Sequence, residues 1–344
     1  MRNCILAFLA ASLVGLTADS QSPFAVAVEE YAQRLHGEGR FMGTVLVMRG
    51  KETLFEKSWG FANAEWRQGF TAQTVFRLGS MSKHFAAVAA LRLESEGKLS
   101  LTHPVLHYYP EGPPSWSRIT LEHLLRHSSG LFNYTAAAGF HTRGGRRLEQ
   151  ILASMHPHPL EFRPGFGYSY SNTNYLLLGL ILERITKMSY EQYLRQHVWG
   201  PARLTGLGYD WPETVIADRA SGYVGNVKQL ANAAFIDHRE AHAAGALYGT
   251  ARGTARWLEA LEDGSILSQG NFARMLVPGL GDYGYGLTIS TRRGQTYYEH
   301  GGAINGFSSF FLRSAQSGIT IIVLSNLAGA PTGAMANEIF RLLP

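Results

Sequence analysis

The stretch Arg77-Leu78-Gly79-Ser80-Met81-Ser82-Lys83-His84-Phe85 sets a hydroxyl and an amine three residues apart, at the head of an alanine- and leucine-rich run. On a helix, residues i and i+3 share a face, so Lys83 would lie over Ser80. A serine hydroxyl is a poor nucleophile at neutral pH. It needs a neighbouring base, and a lysine serves when burial or nearby cations bring its pKa down. A helix N-terminus adds free N–H groups where negative charge would develop on a substrate carbonyl. Taken alone, the segment reads more simply as a capping serine beside a solvated lysine.

Tyr168-Ser169-Tyr170-Ser171-Asn172 follows the turn residues Arg163-Pro164-Gly165 and precedes a leucine-rich run. A loop tip of this kind presents side chains into a cleft. Tyr170 carries a hydroxyl that could relay a proton, and Asn172 an amide able to donate to a substrate while accepting from Lys83. A polar turn with Asn172 as helix cap fits the segment equally well. His300-Gly301-Gly302-Ala303 closes a strand-like run in the last third. Gly301 and Gly302 let a substrate backbone come close, and the Ala303 N–H could join the Ser80 N–H as a second oxyanion donor. In isolation this is also a glycine bulge carrying a surface histidine.

The elements that must position these residues can be read from periodicity. Ser22-Pro23 starts a helix that ends at Gly37, and residues 43–48 and 54–59 form a hairpin about the Gly50-Lys51 turn. After Ser80 the texture is helical: a run that begins at or just after Ser80 and stops at Gly97, then residues 120–127, 148–155 and 174–186, then a capping box at Ser189 and Gln192. Strand patterns return at 283–289, 296–300, 307–313 and 319–325, and residues 331–343 read as a closing helix. The expected fold is α/β, an antiparallel sheet flanked by helices and built from both chain ends, with an all-helical domain inserted. Residues 21–79 and 245–344 would form one discontinuous domain and residues 80–244 the helical one, with a cleft at their border.

The 344 residues include 45% hydrophobic and 17% charged, an ordinary globular composition. A formal charge of +5 without a run of Lys and Arg gives no nucleic-acid footprint. Residues 1–20 read as a signal peptide: Arg2, an apolar run at 5–16 too short to span a bilayer, and small residues at Ala18 and Ser20. Cleavage before Gln21, or after Ala18, would remove Cys4, the one cysteine. That excludes disulfides, thiolate catalysis and cysteine-bound metal from the mature chain. The expectation is a secreted or periplasmic protein with no stable membrane anchor.

Together the three segments resemble the penicillin-recognising serine hydrolases, in the branch of class C β-lactamases, D-alanyl-D-alanine carboxypeptidases, D-aminopeptidases and related esterases. Their Ser-x-x-Lys, Tyr-x-Asn and Lys/His-x-Gly motifs stand here as Ser80-Met81-Ser82-Lys83, Tyr170-Ser171-Asn172 and His300-Gly301-Gly302. His127-Ser128-Ser129-Gly130-Leu131 and Gly306-Phe307-Ser308-Ser309 are similar to two further family stretches, so the resemblance covers about residues 41–327. It implies an α/β sandwich with a helical domain and an acyl-enzyme on Ser80. Lys83 and Tyr170 would share the proton work, with either as acylation base. Asn172 and His300 would position substrate and hydrogen-bond the Lys83/Tyr170 pair. No cofactor is implied, and the substrate would be a small molecule or peptide: a D-amino-acid peptide, an ester or a β-lactam.

One departure bears on substrate. His300 stands where class C β-lactamases typically carry lysine, and a mostly neutral imidazole is a weaker anchor for a carboxylate. This tilts the expectation from β-lactamase toward peptidase or esterase activity. Competing classes are a zinc hydrolase built on His238-x-x-x-His242, an α/β-hydrolase, and a non-catalytic penicillin-binding sensor. Glu240 is misplaced for the first, and no Gly-x-Ser-x-Gly elbow supports the second.

Overall fold

The computed structural model describes residues 22–137 and 144–344; the expected signal segment lies outside them. The two ends of the chain build one six-stranded antiparallel sheet. Gly43–Arg49 (β1) and Glu52–Trp59 (β2) come from the N-terminal part. Thr288–Arg292 (β3), Gln295–Ile304 (β4), Phe307–Arg313 (β5) and Ile319–Ser325 (β6) come from the C-terminal part. The order across the sheet is β3-β4-β5-β6-β1-β2, joined where Val45 of β1 faces Val323 of β6.

Alternation along the central strands divides the core in two. Val45, Val47, Ile321 and Val323 pack against the helices Pro23–Gly37 (α1) and Thr332–Leu342 (α5), which carry Val28, Leu35, Met335 and Ile339. Leu46, Ile322 and Leu324 point to the other side, where Ala251–Glu262 (α4) supplies Trp257, Leu258 and Leu261. That second core continues without a break into the helical part of the chain.

Two helices there are buried almost all round, as expected of segments with no polar face. Lys83–Ser95 (α2) is buried from Lys83 to Leu91, and Asn172–Thr186 (α3) from Thr173 to Leu182. The region between the sheet halves is not all-helical, however. Leu207–Tyr209 pairs with Leu247–Gly249, and Tyr223–Asn226 pairs with Gln229–Asn232 in a small ribbon. These strands are too short for a periodicity of two to register in the sequence.

Two further expectations are corrected. The helix at the first motif starts at Lys83, and Ser80 lies in a tight 3-10 turn, Gly79–Ser82, just before it. The predicted strand at 283–289 is mostly loop, with β3 starting at Thr288. Left-handed residues explain the difference: Gly281, Asp282 and Gly286 have φ of 66°, 56° and 73°, which no strand accommodates.

Candidate active site

Ser80 sits at the tip of the Gly79–Ser82 turn, and α2 carries Lys83 directly behind it. The Lys83 Nζ lies 3.0 Å from Ser80 Oγ, 2.8 Å from Asn172 Oδ1 and 2.8 Å from the Ala244 carbonyl oxygen. The last two atoms can only accept. A neutral amine therefore spends both hydrogens on them and turns its lone pair to the Ser80 hydroxyl. Burial favours that form, because full desolvation pushes the Lys83 pKa well below its ordinary value. Thr135 Oγ1 accepts from Asn172 Nδ2 at 3.2 Å, which fixes the amide with its oxygen toward Lys83.

Tyr170 places its ring under the same amine, 4.8 Å from Nζ to the ring centroid. Its buried oxygen has no full hydrogen bond among the described residues. Burial raises the phenol's pKa and the neighbouring Ser80 hydroxyl opposes that rise, so Tyr170 holds its proton.

A second ring of residues holds Tyr170 in place. His127, fully buried, accepts through Nδ1 from the Ser171 N–H at 3.2 Å and from Asn174 Nδ2 at 2.9 Å. Its ring centre is 4.2 Å from that of Tyr170. The sequence offered His127 only as part of a family-like stretch; its φ of 54°, left-handed for a non-glycine, marks it as held by its surroundings.

His300 is buried, not a rim or surface residue. Its Nδ1 lies 2.5 Å from the Gly301 carbonyl oxygen, which can only accept, so Nδ1 carries the hydrogen. Nε2 is then an acceptor, and the Tyr283 hydroxyl donates to it at 2.9 Å. Burial pushes the His300 pKa down to about 3, with the Lys83 charge adding to the shift and the Gly301 carbonyl opposing it. The imidazole is neutral at physiological pH. Its partners are thus Tyr283 and Gly301 instead of the expected Lys83/Tyr170 pair, from whose phenol ring it is 6.2 Å centre to centre. Tyr283 had no signal in the sequence beyond an aromatic in a presumed strand.

The strand end that follows is pressed onto the nucleophile's turn. A Cβ on Gly302 would lie 2.0 Å from the Leu78 carbonyl oxygen, and one on Gly79 would lie 3.0 Å from the Ala303 nitrogen. Ser309 Oγ donates to the Leu78 carbonyl at 2.8 Å and ties β5 to the same point. Ile304 and Phe307 flank the two-residue turn Asn305-Gly306, so they form a hydrogen-bonded pair and Ala303 opposite Ser308 does not. The Ala303 N–H consequently faces away from β5, toward the Ser80 turn. Ser80, Asn172, Tyr134, Ile236 and Ala303 line a cleft of about 210 Å³, and none of its described lining residues is charged.

The zinc reading finds no support in geometry. His238 and His242 turn to separate carboxylates, Asp210 at 3.5 Å and Glu183 at 3.3 Å. Among the described residues no three His, Cys, Asp or Glu side chains converge. Ser82, the other hydroxyl of the first motif, accepts from the Leu247 N–H at 3.1 Å and is structural.

Residues 28–343 match the Beta-lactamase family. The chain belongs to it. Among curated relatives, the putative penicillin-binding protein PbpX of Bacillus subtilis is 30% identical over 307 residues, 88% of this chain and 75% of PbpX. The D-aminopeptidase of Gluconobacter oxydans is 27% identical across 90% of this chain, which spans 60% of that enzyme. The aligned part is 38% of protein flp of Staphylococcus aureus, so some relatives are far longer than the shared region. Among solved structures, the D-amino acid amidase from Ochrobactrum anthropi SV3 complexed with L-phenylalanine superposes with TM-score 0.81 at 23% identity. That match covers 93% of this chain and 97% of the amidase. The octameric penicillin-binding protein homologue from Pyrococcus abyssi gives TM-score 0.80 at 25% identity, covering 92% and 76%. The β-lactamase-type fold expected from the motifs is the fold observed.

Proposed function

We propose that this β-lactamase-family protein is a serine hydrolase that cleaves esters or amides through an acyl-enzyme on Ser80. One observation carries the reading: a fully buried amine, Lys83, whose two obligate acceptors leave its lone pair for the Ser80 hydroxyl. Lys83 takes the Ser80 proton as Oγ attacks the substrate carbonyl. The Ser80 and Ala303 N–H groups hold the oxyanion. Tyr170, protonated at rest, hands its proton to the leaving group and recovers one from the lysine. Water then hydrolyses the ester on Ser80. Lys83 is the acylation base in this scheme, because Tyr170's raised pKa disfavours a phenolate.

The relatives named above include peptidases and amidases for D-amino acids, and the proposed activity stays in that chemical range. A β-lactamase is disfavoured by His300, neutral and locked between Tyr283 and Gly301, where a cation would grip a carboxylate. Nitrocefin turnover should be slow or absent, and rapid turnover followed by absorbance would reverse this ordering. Export to the periplasm or beyond remains part of the proposal on the strength of residues 1–20. Mass spectrometry after incubation with an activated ester tests the chemistry: one acyl adduct on the wild type, none on Ser80→Ala. An adduct that persists in Ser80→Ala moves the nucleophile elsewhere.

A further inference from the structure

Beside the cleft, and sharing Ala303, Ile304 and Asn305 with it, runs a second and more open groove of about 470 Å³. Val224, Ala233, Ala234, Ile304, Phe307 and Ala328 give it apolar walls, and no described lining residue is charged. Its one polar side chain, Asn305, donates through Nδ2 to the Ala234 carbonyl at 3.0 Å, pinning the outer wall to the β4–β5 turn. The Ala233 N–H is held by the Gly222 carbonyl at 3.0 Å, so this wall is tied down on both sides. Phe235, next along, stays 77% exposed, and Ile236 turns into the cleft itself.

Resting on the serine-hydrolase reading, we infer that this groove is the acyl-chain subsite, and that the preferred substrates are esters or amides of uncharged, medium-length aliphatic or aromatic acids. The direction follows from proton traffic. A leaving group must depart beside the group that protonates it, and Ser80, Lys83, Tyr170 and Asn172 are all absent from the groove's lining. The groove joins the Ser80 cleft at Ala303, Ile304 and Asn305, so a chain held on Ser80 that runs past Ala303 enters it. An uncharged wall rewards apolar chains and leaves a carboxylate or ammonium without a partner.

The test is kcat/KM for p-nitrophenyl esters from acetate through butyrate to octanoate, on the wild type and on Val224→Glu and Ala234→Glu. Each methylene that enters the groove should raise kcat/KM by about fourfold until the groove is filled, as burial of apolar surface dictates. Both substitutions should erase that rise, by tenfold or more on octanoate, and thermal melts close to the wild type's certify that the variants fold. A flat profile with acetate still hydrolysed overturns the subsite alone, as does a rise that survives both substitutions. Absence of acetate turnover and of an adduct on Ser80 removes the serine reading, and this inference with it.

Discussion

Two titratable side chains decide what the centre can do, and both are set by burial. Lys83 is held as an amine by desolvation, with no carboxylate among the described residues set against it to restore the charge. Activity limited by acylation should therefore rise with pH as Lys83 loses its proton, with a midpoint well below that of an ordinary lysine. Lys83→Arg, which cannot deprotonate, should lower kcat/KM by about a hundredfold or more, consistent with loss of general-base catalysis. A pH–rate profile on p-nitrophenyl acetate measures both; an arginine variant with wild-type activity would exclude the amine as base. Tyr283 works through His300. Tyr283→Phe leaves Nε2 a buried acceptor without its donor, at a cost of about 1–3 kcal/mol in unfolding free energy. Denaturant titration of that variant should show the loss, and His300→Phe combined with it should cost less than the sum of the two alone, since the pair is one unit.

At the level of elements, the centre depends on how closely β4 is pressed against the Gly79–Ser82 turn. Gly302→Ala places a methyl 2.0 Å from the Leu78 carbonyl and 2.4 Å from Ser309 Oγ, so strand and turn must separate. The expected result is a loss of about 1–3 kcal/mol, typical of overpacking, together with a fall in kcat at nearly unchanged KM, because the oxyanion donors move apart. Gly270→Ala, with nothing within 4 Å and a helical position between Gln269 and Met275, is the contrast and should be stabilising by about 0.5–1 kcal/mol. Thermal melts and steady-state kinetics on the two variants separate them. This closeness was legible in part. The two glycines after His300 announced a backbone approach, yet the partner that approaches is the chain's own Leu78 carbonyl as well as any substrate. The helices and the strands β4, β5 and β6 were legible because long runs keep one period, whereas β3 shifted because left-handed residues at 281, 282 and 286 interrupt its approach. Tyr283 and the His127–Ser171–Asn174 links stayed hidden, since contacts across 17 or 44 residues of chain leave no local pattern.

Across the whole molecule, the second core carries an unusual load of neutral imidazoles. His84 lies among Phe85, Trp257 and Phe311 with neither ring nitrogen partnered among the described residues. Burial drives its pKa well below normal, with the nearness of His300 further disfavouring a charge, and does the same to His127, helped by Lys83 and His300. His238 is brought down to about 4 by burial, with Arg77 adding to the shift and Asp210 opposing it, and His300 falls to about 3. In the unfolded chain each of these rings takes a proton near its ordinary value of about 6.5, while the folded protein refuses it. Below that pH the unfolded state binds more protons, so stability is full above about pH 6.5 and drains as pH falls toward the folded values. Each ring contributes a slope of up to about 1.4 kcal/mol per pH unit, so the molecule should weaken in mild acid, before most carboxylates titrate. His84→Leu isolates one ring from the rest without touching the catalytic groups. Replacing an unpartnered buried ring with an apolar side chain of similar bulk removes both its desolvation cost and its share of the acid slope. The variant should melt above the wild type at pH 5, and its advantage should shrink toward pH 8. An advantage of equal size at both pH values would mean that His84 burdens the fold through packing and not through its proton.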